Sequence, residues 1–194
     1  CFCGSMDLKE FHALMFFDKA DEFLVETGSP KGEAFLARFP QFFSSSEYEI
    51  DSSDRFIEGA GRLEDKDISK LYDNAGWKKD VDNCLSCGAC TTLCPTCYCF
   101  ETCEVRNLVA PQKSERVRTW SSCQAKQFTQ VAGGHVFREA REERFKHRIF
   151  HQLQYFRERY GVDLCVGCGR CISGCPTRID FVDTINTMHK EDKK

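Results

Sequence analysis

The sequence lacks several features that would place it in a common functional class. No run of residues approaches the roughly 20 apolar residues that a membrane-spanning helix needs, and no apolar segment with basic flanks indicates a secretory signal peptide. The formal charge of −3 is far from the positive excess that nucleic-acid-binding domains use to attract phosphates. We therefore expect a cytoplasmic globular protein with no membrane span and no nucleic-acid partner.

Recognisable catalytic motifs are also missing. The turn at 28–32 lacks the GxxxxGK pattern of a phosphate-binding loop, and no CxxCH motif is present to attach haem. His147 and His151 lie one helical turn apart, a spacing that can bind a metal, but no HExxH motif accompanies them and a surface or packing role is the simpler interpretation. With no candidate catalytic base or nucleophile, we expect a chain that transforms no substrate by itself.

Cysteine, by contrast, is abundant, with 14 among the 194 residues. Eight of them form two C-x2-C-x2-C-x3-C runs, each followed directly by a proline. This spacing is the ligand run of bacterial-type 4Fe–4S ferredoxins, in which the fourth cysteine of a run binds the other cluster. The predicted ligands are Cys84, Cys87, Cys90 and Cys175 for one cluster, and Cys165, Cys168, Cys171 and Cys94 for the other.

Two other uses of cysteine fit this pattern less well. Zinc sites prefer two well-separated ligand pairs, whereas each run here already holds four cysteines. Disulfide frameworks belong to short secreted chains. A zinc-stabilised interaction module is nevertheless kept as an alternative, and colour distinguishes it because clustered iron absorbs visible light and zinc does not.

The charge is divided unevenly between two parts of the chain. Residues 1–83 hold 18 acidic and 10 basic side chains, whereas residues 84–194 hold 12 acidic and 17 basic ones. We expect an α+β protein in which a small mixed α/β N-terminal region with its linker covers residues 1–54. A mainly α-helical ferredoxin-type dicluster domain is expected over residues 55–194.

Local patterns in the N-terminal region predict a hairpin and a helix. Apolar stretches at 12–17 and 22–26 are separated by a polar turn, which is typical of a β-hairpin. Residues 33–43 predict a short helix, and the serine-rich stretch at 44–54 a linker. The charged segment at 55–80 is expected to be helical.

Helices are also expected between the two cysteine runs. Phe145, Ile149, Leu153, Phe156 and Tyr160 recur at the spacing of one helix face. This pattern predicts a long helix that starts after the 133–134 glycine pair and ends at a glycine, residue 161. A further helix is predicted over 121–131.

Several tracts give the sequence a resemblance to one family. They are the first cysteine tract at 84–100, Trp120-Ser-Ser-Cys123, Gly133-Gly-His135 with Phe137-Arg138, the second tract at 165–171, Cys1-Phe-Cys3, and the segment at 23–29. Together they resemble the iron–sulfur β subunit of sulfhydrogenase-type NiFe hydrogenases and the corresponding iron–sulfur subunit of anaerobic sulfite reductase. The tracts between the two cysteine runs are the more specific part, because many ferredoxin-like proteins share the runs themselves.

The resemblance implies an electron-transfer subunit of a soluble oxidoreductase complex. Its implied partners are a flavin-containing subunit that handles NAD(P)H or another donor and a catalytic subunit of the NiFe or sirohaem type. It also implies further sequence ahead of Cys1, holding another cysteine. Heterodisulfide reductase-like and similar complexes are the alternative, although they carry additional cysteine-rich domains of another pattern.

The same resemblance suggests a use for three of the remaining cysteines. Cys1, Cys3 and Cys123 could bind a third 4Fe–4S cluster, with one more ligand from preceding sequence or from a partner. The alternative for Cys123 is a buried free thiol, a common state of isolated cysteine. No role is assigned to Cys97, Cys99 or Cys103.

Overall fold

The structure is a computed structural model that describes residues 1–6, 12–51, 54, 59–110 and 112–191. Its regular elements in chain order are β1 (Leu14–Asp18), β2 (Phe23–Thr27), α1 (Pro30–Arg38), α2 (Lys78–Asn83), α3 (Ala89–Thr92), β3 (Phe100–Arg106), β4 (Ser114–Trp120), α4 (Arg141–Phe150), α5 (Phe156–Tyr160), α6 (Arg170–Ser173) and α7 (Phe181–Glu191). Single turns of 3₁₀-helix lie at Cys3–Ser5, Pro40–Phe42, Ala75–Trp77 and Lys126–Thr129. The expected α+β class is confirmed.

The first hairpin forms where the sequence predicts it. Strands β1 and β2 are antiparallel, with Leu14 opposite Thr27 and Asp18 opposite Phe23. The following helix α1 begins at Pro30, earlier than predicted, because a proline in the first helical turn has a suitable φ and needs no N–H partner there. It ends before Pro40 instead of continuing to residue 43.

The helix predicted over 55–80 is wrong for most of its length. Residues 55–58 lie outside the described residues, and residues 59–74 contain only turns and bends. Leu63, Ile68 and Leu71 of this segment are buried in the core although the backbone between them is irregular. The Asn186 side chain accepts a hydrogen bond from the Glu64 amide at 3.0 Å, so a contact from α7 stabilises this irregular backbone.

One hydrophobic core joins both ends of the chain. Its members come from the N-terminus, the irregular segment, α2, α4, the turn after α4, and α7: Phe2, Met6, Leu63, Ile68, Leu71, Trp77, Val81, Phe145, Ile149, Phe150, Leu153, Val182, Ile185 and Met188. Trp77 is buried with its indole N–H donating to the Leu71 carbonyl at 2.7 Å. Phe2 is fully buried, so the start of the chain contributes to the core that supports the cysteine runs. The predicted boundary near residue 54 stays a prediction.

The region between the two cysteine runs contains a hairpin that the sequence analysis missed. Strands β3 and β4 pair antiparallel, with Phe100 opposite Trp120, and nearly all their residues are exposed. Arg118 lies over the Phe100 ring at 3.7 Å, and Arg116 pairs with Glu104. The helix predicted over 121–131 is wrong, since only Lys126–Thr129 forms a single 3₁₀ turn.

The long helix forms, but with a later start and a change of winding. Helix α4 begins at Arg141 rather than directly after the glycine pair, and Glu143 caps it by accepting from the Ala140 amide at 3.0 Å. A π-helical turn at His151–Tyr155 leads into α5, which ends at Gly161 (φ 75°) as predicted. The Gln152 carbonyl in this turn accepts from the amides of Leu164 and Cys165, both at 3.2 Å. The π-turn therefore positions the start of the second cysteine run, in keeping with the frequent location of such turns at functional sites.

None of the helices among the described residues is both long and apolar enough to cross a membrane.

Candidate metal centre

The first cysteine run folds into a tight loop between two short helices. Cys84 directly follows α2, and Cys90 lies within α3. The loop curves through two residues in the left-handed region, Ser86 (φ 52°) and Gly88 (φ 79°). The Ser86 amide donates to the Cys84 sulfur at 3.4 Å, so the loop folds its backbone donors towards its own cysteines.

The second run repeats this geometry. Gly167 (φ 65°) and Gly169 (φ 72°) occupy the positions equivalent to the two left-handed residues of the first loop, and the Gly167 amide donates to the Cys165 sulfur at 3.3 Å. Cys171 lies within α6 as its counterpart lies within α3. The last cysteine of each run is matched as well, since a threonine hydroxyl two residues on lies 3.4 Å from one sulfur and 3.5 Å from the other.

All eight predicted ligands line one cavity. Helices α3 and α6 are in contact, and the two loops line a cavity whose empty space, counted together with the open solvent at its mouth, is about 940 Å³. Its walls are otherwise largely apolar, with Phe145, Ile149, Leu153 and Phe181 among them. The cysteines of both runs are therefore brought to a single cavity, which is the arrangement that two clusters bound by crossed ligand sets require.

The cavity wall also carries polar groups that fit an anionic sulfur-rich group. Among the described residues, Gln152 Nε2 and Ser86 Oγ are buried in this wall without a hydrogen-bond partner. Buried donors are normally satisfied, and both can donate to sulfur. The residues present therefore fit a bound 4Fe–4S cluster.

Burial makes several of the thiols weak acids in the absence of a bound metal. Burial raises the pKa of Cys90 to about 11 and that of Cys165 to about 12. Burial also raises the pKa of Cys171. Burial opposes ionisation of Cys94 too, but hydrogen bonding from Thr96 and the charge of Arg148 outweigh it, so the pKa of Cys94 is lowered. Metal binding requires the thiolate form, so iron would have to stabilise most of these thiolates.

Arg148 is a feature of the site that the sequence analysis missed. It lies on α4, lines the cavity, and donates from one guanidinium nitrogen to the Cys90 carbonyl at 2.8 Å. Its side chain is buried, and neighbouring Cys94, Cys90 and Cys171 raise its pKa despite the opposing effect of burial. In the sequence it is one of several arginines in a strongly charged helix, so no local signal distinguishes it.

The six other cysteines lie in three places. Cys1 and Cys3 have their sulfurs 3.1 Å apart beside the second loop. Cys123 is buried and interacts with the thiols of Cys99 and Cys97. Cys103 is exposed on β3.

The neighbours of Cys123 were not foreseen from the sequence. Its interaction with the Cys99 thiol lowers the pKa of Cys123. The two residues before Cys123 also contact the first cysteine tract. The Ser122 hydroxyl accepts a hydrogen bond from Thr91 at 2.8 Å, and the Ser121 amide donates to the Cys99 carbonyl at 3.0 Å. Cys97, Cys99 and Cys123, which the sequence analysis did not group together, are thus neighbours beside the first loop.

The histidines of the long helix pack rather than converge on a metal. His147 and His151 stack with ring centroids 5.4 Å apart, and burial lowers the pKa of His147 to about 4. In the described part of the chain, no three His, Cys, Asp or Glu side chains are arranged so that they could hold one metal ion between them.

Comparisons with known proteins agree with this geometry. The family model described as a 4Fe-4S dicluster domain matches residues 83–179, half of the chain. The chain is 32% identical to sulfhydrogenase 2 subunit beta of Pyrococcus furiosus over 203 aligned residues, which cover 98% of this chain and 60% of that protein. The chain thus spans about three fifths of the length of this relative. No solved structure matches the chain.

The family resemblance and the two 4Fe–4S clusters expected from the sequence are both confirmed. The cavity that holds both cysteine runs lies entirely within the matched residues apart from Phe2 and Phe181. The chain belongs to the 4Fe-4S dicluster domain family and is an iron–sulfur protein.

Proposed function

We propose that the chain relays electrons through two 4Fe–4S clusters between a flavin-containing donor subunit and a terminal catalytic subunit of a larger complex. The observation that carries this proposal is the single cavity lined by the eight cysteines of both runs. The name of the Pyrococcus relative, a sulfhydrogenase subunit, supports a place in a complex of the hydrogenase type. A sirohaem-type catalytic subunit, as in sulfite reductases, is the alternative terminal partner.

The proposed ligand sets are crossed between the runs. Cys84, Cys87, Cys90 and Cys175 bind one cluster, and Cys165, Cys168, Cys171 and Cys94 bind the other. The electrostatic neighbours of Cys94 support this division, because Cys94 acts on the pKa of both Cys165 and Cys171. Cys171 of the second run and Cys84 of the first run both act on Cys90, so the two proposed ligand sets also lie close to each other.

The chain's own residues prepare the cavity for electron transfer. When bound, each cluster supplies a centre that accepts and donates one electron. The apolar wall excludes water, and the amides of Ser86 and Gly167 donate to cysteine sulfurs at 3.4 and 3.3 Å. Hydrogen bonds to sulfur, burial and nearby charge are the means by which a protein sets a cluster potential.

A third cluster at Cys1, Cys3 and Cys123 stays a prediction. The pair at the N-terminus lies beside the second loop, since a Cβ on Gly167 would come within 2.5 Å of the Cys3 Cα. Cys123 interacts with Cys99 and Cys97. We therefore extend the prediction: any centre that uses Cys123 should also depend on its two neighbours.

The proposal is tested by anaerobic purification of the native complex, with mass spectrometry of the co-purifying subunits and an iron count for each chain. A flavoprotein and a NiFe or sirohaem subunit, with at least about eight irons per chain, are expected, because each 4Fe–4S cluster holds four. A protein that purifies alone with iron contradicts the relay role and leaves a free electron carrier. A colourless protein that contains zinc contradicts the redox role altogether.

A further inference from the structure

Arg148 is a buried cation inside the cavity that holds both cysteine runs. Its exposed fraction is 8%, and it lies on α4 with its guanidinium donating to the Cys90 carbonyl at 2.8 Å. Burying an isolated charge is costly unless anionic groups compensate it. The buried charge of Arg148 therefore needs anionic groups close to it.

The ionisable groups that act on Arg148 are cysteine thiols rather than carboxylates. In the described part of the chain, no Asp or Glu forms a salt bridge with Arg148, whereas other cations such as Lys66 and Lys146 have one. The groups that act on its pKa are Cys94, Cys90 and Cys171. These come from both cysteine runs, so the positive charge lies between the two ligand sets.

We propose that the buried charge of Arg148 raises the reduction potentials of both clusters. This inference rests on the proposed ligand sets. Adding an electron makes a thiolate-bound cluster more negative, and a fixed cation in a low-dielectric cavity stabilises that more negative state. Because the guanidinium stays protonated at all physiological pH values, its contribution is independent of pH.

A matched control lies one turn earlier on the same helix. Arg144 also has an exposed fraction of 8%, but its guanidinium donates to the backbone carbonyls of Gln124, Arg138 and Glu139. It does not belong to the cavity wall. Substitution of either arginine removes a buried cation from α4, but only one of the two changes affects the charge beside the cysteines.

The test is a potentiometric titration of the anaerobically purified full chain, followed by electron paramagnetic resonance and visible absorbance. We expect Arg148→Gln to shift both midpoint potentials to more negative values, and Arg144→Gln to leave them at the parent values. Arg148→Lys, which keeps the charge, should give a smaller shift than Arg148→Gln. An Arg148→Gln protein with full iron content and parent potentials overturns the proposal.

If Arg148→Gln fails to bind its clusters, the Arg148→Lys variant tests the proposal instead. In that case Arg148→Lys must retain full iron and potentials close to those of the parent if the charge is what matters. An Arg148→Lys protein that also lacks iron shows that Arg148 acts through its shape and hydrogen bonding, which contradicts the proposal. The unsubstituted protein distinguishes failure of the Arg148 proposal from failure of the proposed function. If the unsubstituted protein shows no signals of two clusters, the proposed function is refuted, whatever the Arg148 variants show.

Discussion

Replacing Gly167 with alanine is expected to detach the first residues of the chain from the second cysteine loop. A Cβ at this position would lie 2.5 Å from the Cys3 Cα and 2.7 Å from the Phe2 carbonyl carbon. The neighbouring atoms are backbone, so they cannot move aside as a flexible side chain would. The Phe2 amide also donates to the Gly167 carbonyl at 2.6 Å, and this hydrogen bond would be lost when the segment moves away.

The structure gives the size of the effect. Gly167 has φ 65°, and a Cβ in the left-handed region costs roughly 1–2 kcal/mol. Phe2 is fully buried, and exposing a phenylalanine side chain costs roughly 1.5–3 kcal/mol. We therefore expect a loss of about 3–5 kcal/mol. The equivalent residue of the first loop is Ser86 (φ 52°), so the cysteine run itself tolerates a side chain there and the neighbouring N-terminus makes the glycine necessary.

The assay combines denaturant unfolding with deuterium uptake of the peptide that covers residues 1–6, both under anaerobic conditions. Gly161→Ala is the matched control, because Gly161 has φ 75° but a Cβ there would meet no atom within 4 Å outside its immediate chain neighbours. Gly161→Ala should lose only the roughly 1–2 kcal/mol that a Cβ in the left-handed region costs. The peptide that covers residues 1–6 should stay protected from deuterium uptake in this variant. Equal destabilisation in the two variants, or unchanged deuterium uptake in Gly167→Ala, would refute the reasoning.

Three further predictions concern the remaining cysteines and the packed histidine. Cys171→Ser should lose the signal of one cluster and stop physiological turnover while the partner's catalytic centre stays assembled, as checked by cofactor analysis of the complex; normal turnover would contradict the relay. If a centre uses Cys123, then Cys99→Ser should lower the iron count as much as Cys123→Ser, whereas the exposed Cys103→Ser should not. Because burial lowers the pKa of His147 to about 4, the unfolded chain binds a proton in the range between about 6.5 and 4 while the native chain does not. Stability should therefore fall as pH drops through this window, and the fall should be smaller in His147→Gln; equal slopes would argue against a buried neutral imidazole.

The parts of the molecule that depend on short-range patterns were predicted from the sequence. The hairpin of β1 and β2 follows from two apolar stretches around a polar turn, and the end of α5 follows from a glycine that adopts φ 75°. The dicluster domain follows from a ligand spacing within each run. In each case the residues that determine the structure lie within a few positions of one another.

The segments that were predicted wrongly depend on distant contacts. Charged residues after position 55 suggested a helix, but Leu63, Ile68 and Leu71 are held in the core by α4 and α7. A backbone amide in this segment bonds to Asn186, more than a hundred residues away. Helix propensity is a weak preference that such tertiary contacts override.

The missed hairpin also accounts for the missed cysteine neighbours. Strands β3 and β4 have little apolar alternation, and cross-strand pairs such as Arg116 with Glu104 stabilise them instead. Their register places Phe100 opposite Trp120, and the same ladder continues with the Ser121 amide donating to the Cys99 carbonyl. This hydrogen bond returns the segment after β4 to the first cysteine tract, where Cys123 interacts with Cys99. A sequence interpretation without this hairpin has no reason to join the two cysteines, and it therefore grouped Cys123 with the N-terminal pair on resemblance alone.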